Sequence, residues 1–119
     1  MNSLNKSRAK IIDVLNEQNL PNSLLHGDLW GGNYLTASTG CVLIDPAVYY
    51  GSREAEFGII SLFGGFDADF FNGYHSIYPP LKNFNERLEF YKLYHYLNHL
   101  NIFGRGYLSN VNSILVQIL

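Results

Sequence analysis

The sequence has little of what marks several common protein classes. One cysteine, Cys41, among 119 residues rules out an internal disulfide framework and fits a reducing, cytoplasmic setting. No apolar run approaches the ~20 residues of a membrane span, so no membrane partner is expected. The early basic residues Lys6, Arg8 and Lys10 are followed by Asp13 and Glu17 instead of an apolar stretch, so neither a signal nor a transit peptide is expected. A basic excess is missing as well. Eight Lys and Arg face ten Asp and Glu, for a formal net charge of −2, and a nucleic-acid partner is not implied. The nine Tyr, eight Phe and one Trp are therefore read as core or pocket residues and not as base-stacking platforms. Internal repeats and low-complexity tracts are absent, and the Asn5-Lys6-Ser7 sequon carries no weight without a secretion signal.

What is present begins with a 47% hydrophobic composition, enough for a sizeable core in one domain spanning residues 1–119. The chain is organised around Leu24-Leu-His-Gly-Asp-Leu-Trp-Gly-Gly-Asn-Tyr-Leu35. Asn33 follows Asp28 by five positions, the spacing of a kinase catalytic loop. There an Asp handles the acceptor hydroxyl and an Asn holds magnesium. Such a loop must bend sharply, and Gly31-Gly32 are expected to supply the φ freedom. The motif needs a second carboxylate nearby in space. Two β-prone runs, Asn33-Tyr-Leu-Thr36 and Cys41-Val-Leu-Ile44, flank the turn Ala37-Ser-Thr-Gly40. As a hairpin, the paired residue numbers sum to about 77 or 78, which sets Asn33 opposite Asp45 to within about one residue. Asn33 and Asp45 are then candidate Mg²⁺ ligands, one or two protein oxygens beside nucleotide phosphates. Pro46 ends the strand there, and Asp45 simply capping a turn is the alternative.

Around this centre the pattern is helical. Ser3 to about Gln18 reads as a helix with Ser3 as cap and Leu4, Ile11, Ile12 and Leu15 on one face. A second helix is expected from Glu54 to Leu62, broken by Gly64-Gly65, and a third from a cap at Asp67 to about Ile77, ended by Pro79-Pro80. Arg53, at the start of the second, either meets a phosphate or pairs with a local acid such as Glu56. A long helix is expected from Asn85, as its cap, to about Asn101, with Leu88, Tyr91, Leu97 and Leu100 along its stripe. It carries His95-x-x-x-His99, which lacks the Glu and third ligand of a zinc peptidase and is read as structural. After the break at Phe103-Gly-Arg-Gly-Tyr107, an amphipathic segment runs from Ser109 to Leu119.

Five stretches together are specific to one family: His26-Gly-Asp-Leu-Trp-Gly-Gly-Asn33, Leu43-Ile-Asp-Pro-Ala-Val-Tyr-Tyr-Gly51, Arg53-Glu-Ala55, Leu62-Phe-Gly-Gly-Phe66 and Leu93-Tyr-His-Tyr-Leu-Asn-His-Leu-Asn101. From about Leu24 to Leu108 the chain strongly resembles the fructosamine kinase (ketosamine kinase) family. The resemblance implies an α+β, mostly helical fold, the C-terminal lobe of a protein-kinase-like fold with its catalytic loop and β-hairpin. It implies ATP- and Mg²⁺-dependent phosphorylation of a sugar hydroxyl on a ketoamine, free or on a glycated protein, leading to deglycation. Carried over by position, Asp28 is the catalytic base, Asn33 and Asp45 the metal ligands, and His26 a brace of the loop. Trp30 either covers the sugar or amine-bearing group of the substrate or serves as a buried scaffold.

The chain also departs from the family. Gly31 stands where serine is common, which is expected to loosen the turn. Glu56-Phe-Gly58 stands where Asp-Leu-Ala is usual, which is expected to weaken the bracing of the loop. No counterpart of the N-terminal lobe, with its phosphate-binding Lys and helix Glu, is found in residues 1–24, and the residues that would bind the nucleotide base are not identified. The isolated chain is therefore expected to be inactive unless a longer product or a separate partner supplies that lobe. An inactive remnant or interaction module is the alternative reading, and an aminoglycoside or choline kinase-like phosphotransferase a more distant one.

Overall fold

A 20-residue helix, α4 (Phe84–Phe103), is the beam against which the helices before and after it, residues 2–16, 56–63 and 108–118, are packed. The structure, a computed structural model, describes residues 2–118, with side chains from residue 5 onward. The cap expected at Ser3 and the packing of Leu4 lie outside the described side chains. Before α4 come α1 (Asn2–Asn16), β1 (Asn22–Leu25), β2 (Tyr34–Ala37), β3 (Gly40–Leu43), β4 (Tyr49–Ser52), α2 (Glu56–Phe63) and α3 (Ala68–Ile77). After it comes α5 (Leu108–Ile118), and short 3₁₀ turns cover Gly31–Asn33, Arg53–Ala55 and Arg105–Tyr107. The fold is α+β and mostly helical, and no described helix is long and apolar enough to cross a membrane.

α4 is buried on more than one face, so its apolar residues do not fall on a single stripe. Phe90, Leu93, Leu97 and Leu100 pack with Val111, Ile114, Leu115 and Ile118 of α5 and with Ile11, Val14 and Leu15 of α1. Phe84 and Leu88 pack instead with Phe57 and Ile60 of α2, Phe70 and Tyr74 of α3, and Leu29. Each fully buried Phe or Leu contributes roughly 1.5–3 kcal/mol of transfer free energy. The expected stripe held Leu88, Leu97 and Leu100 but missed Phe90 and Leu93, two of the most deeply buried positions. On α1, Ile12 faces outward and Val14 takes the inner place. The N-terminus of α4 also differs from expectation. Asn83, not Asn85, is the cap, held in the left-handed region (φ 64°) while its amide donates to Glu17 Oε1 at 2.8 Å. Gly104, also at positive φ, ends the helix, its N–H donating to the Leu100 carbonyl.

The β structure forms two antiparallel pairs. β2 and β3 make the expected hairpin, with Tyr34 opposite Leu43 and Ala37 opposite Gly40, so the paired numbers sum to 77. Leu35, Val42 and Leu43 of this hairpin are exposed. The second pair, β1 with β4, was not expected. It sets Leu25 opposite Tyr49 and Asn22 opposite Ser52, and so brings the two ends of segment 26–48 together beside the turn that leads into α2.

Candidate active site

The loop from His26 to Asn33 is fixed by the elements on either side of it. β1 delivers His26, whose carbonyl accepts from the Ala47 N–H at 2.8 Å. Gly27 is forced at this crossing, since its φ is +85° and a Cβ would stand 1.9 Å from the Ala47 carbonyl oxygen. The His26 ring, half-buried, bridges two backbone segments. With Nε2–H donating to the Ile44 carbonyl at 2.8 Å, Nδ1 is left to accept the Asp28 N–H at 3.2 Å. Those two bonds define a neutral ring with its proton on Nε2.

Glu56, at the start of α2, holds the same loop from below. Its Oε2 accepts the His26 N–H and its Oε1 the Gly27 N–H, both at 3.0 Å. Charge-assisted bonds of this kind are about twice as strong as neutral ones. The brace is made despite the departure at this position, because the longer acid reaches both amides. Of the two alternatives for Arg53, the local pairing with Glu56 is not formed among the described residues: its guanidinium lies 4.5 Å from the centre of the Tyr78 ring.

Asp28 and Asn33 are brought together directly. Asn33 is 7% exposed, and its Nδ2 donates to the Asp28 carbonyl at 2.8 Å and to Asp28 Oδ2 at 3.1 Å. The Asn33 carbonyl in turn accepts the Ile44 N–H at 2.9 Å. Asp45 therefore follows one residue beyond the position facing Asn33, within the register expected. Asp45 is exposed and sits at φ 50°, a left-handed conformation that Asp tolerates better than most residues. With Nδ2 of Asn33 committed to Asp28, its Oδ1 and the Asp45 carboxylate are the oxygens a divalent cation would take. Among the described residues no cluster of three or more His, Cys, Asp or Glu is placed to hold an ion unaided. That donor set suits Mg²⁺, which takes few protein oxygens and completes its shell with phosphates and water.

Gly31 and Gly32 act differently from expectation. Neither has positive φ; both permit close approach. A Cβ on Gly32 would collide with the Trp30 ring at 2.3 Å, and one on Gly31 would stand 2.7 Å from the Gly65 Cα. The Gly31 N–H donates to the Gly64 carbonyl at 3.0 Å, so the loop is pinned to the end of α2. Gly64-Gly65, read from sequence only as a helix break, is the other half of that contact.

Trp30 is 38% exposed and begins a line of rings. Phe63 lies 6.0 Å from it, His99 5.1 Å from Phe63, and Phe103 and Tyr107 5.3 and 5.2 Å from His99. Sequence reasoning gave Phe63 and Phe103 no place beside Trp30, although His95, His99 and Phe103 repeat at helical spacing. The two histidines have different surroundings. His99 Nδ1 bonds the His95 carbonyl at 2.8 Å, while His95 is buried between α2 and α4. Burial first, then the neighbouring His99, push the His95 pKa down, and Asp28 pulls it the other way.

A buried ion pair missed by the sequence reading supports the base of the site. Arg87 is 1% exposed and Glu54 5% exposed; Nε and the terminal Nη2 of Arg87 donate to the two Glu54 oxygens at 2.6 and 2.8 Å. The other terminal nitrogen donates to the Lys82 carbonyl and to Glu17. The bond to Glu54 is the main reason the Arg87 pKa is raised. No local signal announces this pair, because its members are 33 residues apart.

Comparison with known proteins points the same way as this geometry. The family model for fructosamine kinase matches residues 1–119. Ketosamine-3-kinase of Mus musculus is 45% identical over 106 residues, covering 89% of this chain and 34% of the mouse protein. The chloroplastic protein-ribulosamine 3-kinase of Oryza sativa is 50% identical over 93 residues, covering 77% of this chain and 27% of the rice protein. A crystal structure from Haemophilus somnus, provisionally named a fructosamine-3-kinase, superposes with a TM-score of 0.81 at 30% identity, over 96% of this chain and 40% of that one. The chain spans about a third of the length of the curated relatives it matches. With the family model matching throughout and the loop, hairpin and brace assembled as described, the chain belongs to the fructosamine kinase family.

Proposed function

We propose that residues 1–119 form a single unit, the C-terminal lobe of a protein-kinase-like fold, and supply the acceptor side of an ATP-dependent ketoamine kinase. The observation that carries this reading is the Asp28–Asn33 pairing. Asn33 occupies Oδ2 of Asp28, so Oδ1 is the oxygen presented to an incoming hydroxyl. A sugar hydroxyl bonded there gives its proton to Asp28 as its oxygen attacks the γ-phosphorus of ATP; the new O–P bond forms, the bond to the β-phosphate oxygen breaks, and ADP leaves. The neutral His26 ring and the Glu56 brace keep the carboxylate aimed without moving protons themselves. Asn33 and Asp45 would hold Mg²⁺, which when bound offsets the phosphate charge. Catalysis of this kind rests on positioning and charge, and the loop is held by backbone bonds on both sides accordingly.

The acceptor is a ketoamine, free or on a glycated protein. Support comes from the rings beside the base: the accessible face of Trp30, continued by Phe63 and His99, suits a sugar ring flanked by an ammonium group. The exposed apolar hairpin residues Leu35, Val42 and Leu43 suit contact with the nucleotide-binding part of a complete kinase. The test is phosphorylation of a fructosyl-amine by Mg·ATP. It is run on this chain alone and on a fusion that adds the remaining amino-terminal part of a relative. Transfer by the fusion, abolished by Asp28→Ala, is expected. A fusion that binds Mg·ATP yet transfers nothing to any ketoamine would overturn the reading.

A further inference from the structure

Helix α2 is gripped from opposite sides. Residues 56 and 58 are about 200° apart around a helix, so they face opposite ways. On one side Glu56 reaches the His26 and Gly27 amides at 3.0 Å. On the other, Gly58 is buried against α4, where a Cβ would stand 3.0 Å from Tyr91 Cβ and 3.1 Å from His95 Cδ2. We propose that α2 is a spacer of set thickness between α4 and the catalytic loop, and that Glu56 and Gly58 are a matched pair of positioning residues. The missing Cβ at 58 lets α2 seat deeply on α4, and the long carboxylate at 56 spans the gap this seating leaves beneath the loop.

The two dimensions are opposite in sense, and the smaller offsets part of the larger. Carbon atoms rest about 3.5–4.0 Å apart, so a methyl at 58 must move α2 off α4 by about 0.5–1 Å. Tyr91 meets that methyl with its Cβ and backbone carbon, which no rotamer change removes, and His95 meets it with a buried ring. α4 itself is fixed by its core with α1 and α5, and the Arg87–Glu54 bonds hold only the turn before α2 against it. The helix that moves is therefore α2, which tilts about that turn toward the loop. Replacing Glu56 with Asp withdraws the carboxylate by about one carbon–carbon bond, roughly 1.5 Å. Each change alone misplaces the residues directly before Asp28, and the two together partly cancel. The relevance to catalysis rests on Asp28 being the base, but the device is a matter of loop geometry and is tested as such.

The experiment is amide hydrogen exchange by NMR on the ¹⁵N-labelled chain, comparing wild type with Glu56→Asp, Gly58→Ala and the double variant. In Glu56→Asp, exchange at His26 and Gly27 is expected to accelerate by roughly tenfold to a hundredfold, with α5 amides unchanged. In the double variant, part of that protection is expected to return. Protection in the double variant no better than in Glu56→Asp alone would overturn the proposal, as would a Glu56→Asp chain with unaltered His26 and Gly27 exchange. Should Gly58→Ala alone fail to fold, the double variant still decides. A folded double variant supports the pairing, because a shorter residue 56 frees α2 to move. An unfolded one, with Glu56→Asp folded, refutes it.

Discussion

Replacing Arg87 with Ala is expected to remove much of the stability of the fold, although Arg87 touches no candidate site residue. The guanidinium is 1% exposed and answers both oxygens of a carboxylate that is 5% exposed. Truncating one partner strands the other charge in the interior, which costs about 3–5 kcal/mol. Native domains are stable by about 5–15 kcal/mol, so the loss is a large fraction of the total. In urea unfolding this appears as a lower midpoint at constant slope, and in thermal unfolding as a drop of roughly 10–20 °C. The asymmetry of the interaction supplies the sharper test. Replacing both partners, as Arg87→Met with Glu54→Met, leaves no buried charge and is expected to recover most of the loss. What remains is the Lys82 carbonyl, which loses its 2.7 Å donor, worth about 1 kcal/mol; Glu17 is exposed enough to turn to water. A single Arg87→Ala variant within 1 kcal/mol of wild type would refute the reasoning. A double variant as unstable as the single one would do the same.

Other expectations are more local. His95 has a folded pKa below its usual 6.5, so the unfolded chain binds more protons over that interval. Stability is then full above about pH 6.5 and falls as pH drops from there toward the folded pKa. His95→Gln should flatten that acid limb in pH-dependent unfolding, and an unchanged limb would assign it elsewhere. Gly65→Ala should destabilise by more than about 2 kcal/mol in urea unfolding, since its Cβ would stand 2.2 Å from Gly31 Cα at a φ of +95°. Gly73→Ala, in mid-helix with open space around it, should stabilise by about 0.5–1 kcal/mol in the same assay. In a complete kinase carrying this segment, Asp28→Ala should lower ketoamine turnover by about 10²–10⁴ while leaving the melting temperature nearly unchanged, as steady-state kinetics and calorimetry would show.

The parts of this molecule that are legible in its sequence are those whose physics is local. The five-residue spacing from Asp28 to Asn33, the turn before Gly40 and the stop at Pro46 lie within some twenty residues. The turn sets a hairpin register with paired numbers summing to about 77 or 78, and the structure has 77. The Asp67 cap is local too, its Oδ1 accepting from Phe70 N–H at 3.0 Å. The β1–β4 pair is not. Its strands have four residues each and are separated by the whole loop and hairpin; Leu24 and Tyr50, which face each other, are both exposed, so no alternation marks them. Periodicity also fails on α4, because a helix packed on two faces has no polar side by which to orient it.

The glycines carry the more general point. A glycine in sequence suggests backbone freedom, and at Gly27 that is the correct inference, since φ is +85°. At Gly31, Gly32 and Gly58 the backbone is ordinary, and what matters is the absent Cβ. Each of the three marks a place where something else must come close: Gly65, the Trp30 ring, and α4. The reason for such a residue lies in another element, so no window along the chain contains it. The same holds for Glu56, whose length has meaning only against the distance from α2 to the His26 and Gly27 amides. The loop can thus be matched to a family from its own residues, while the means of holding it in place is written in residues of other elements.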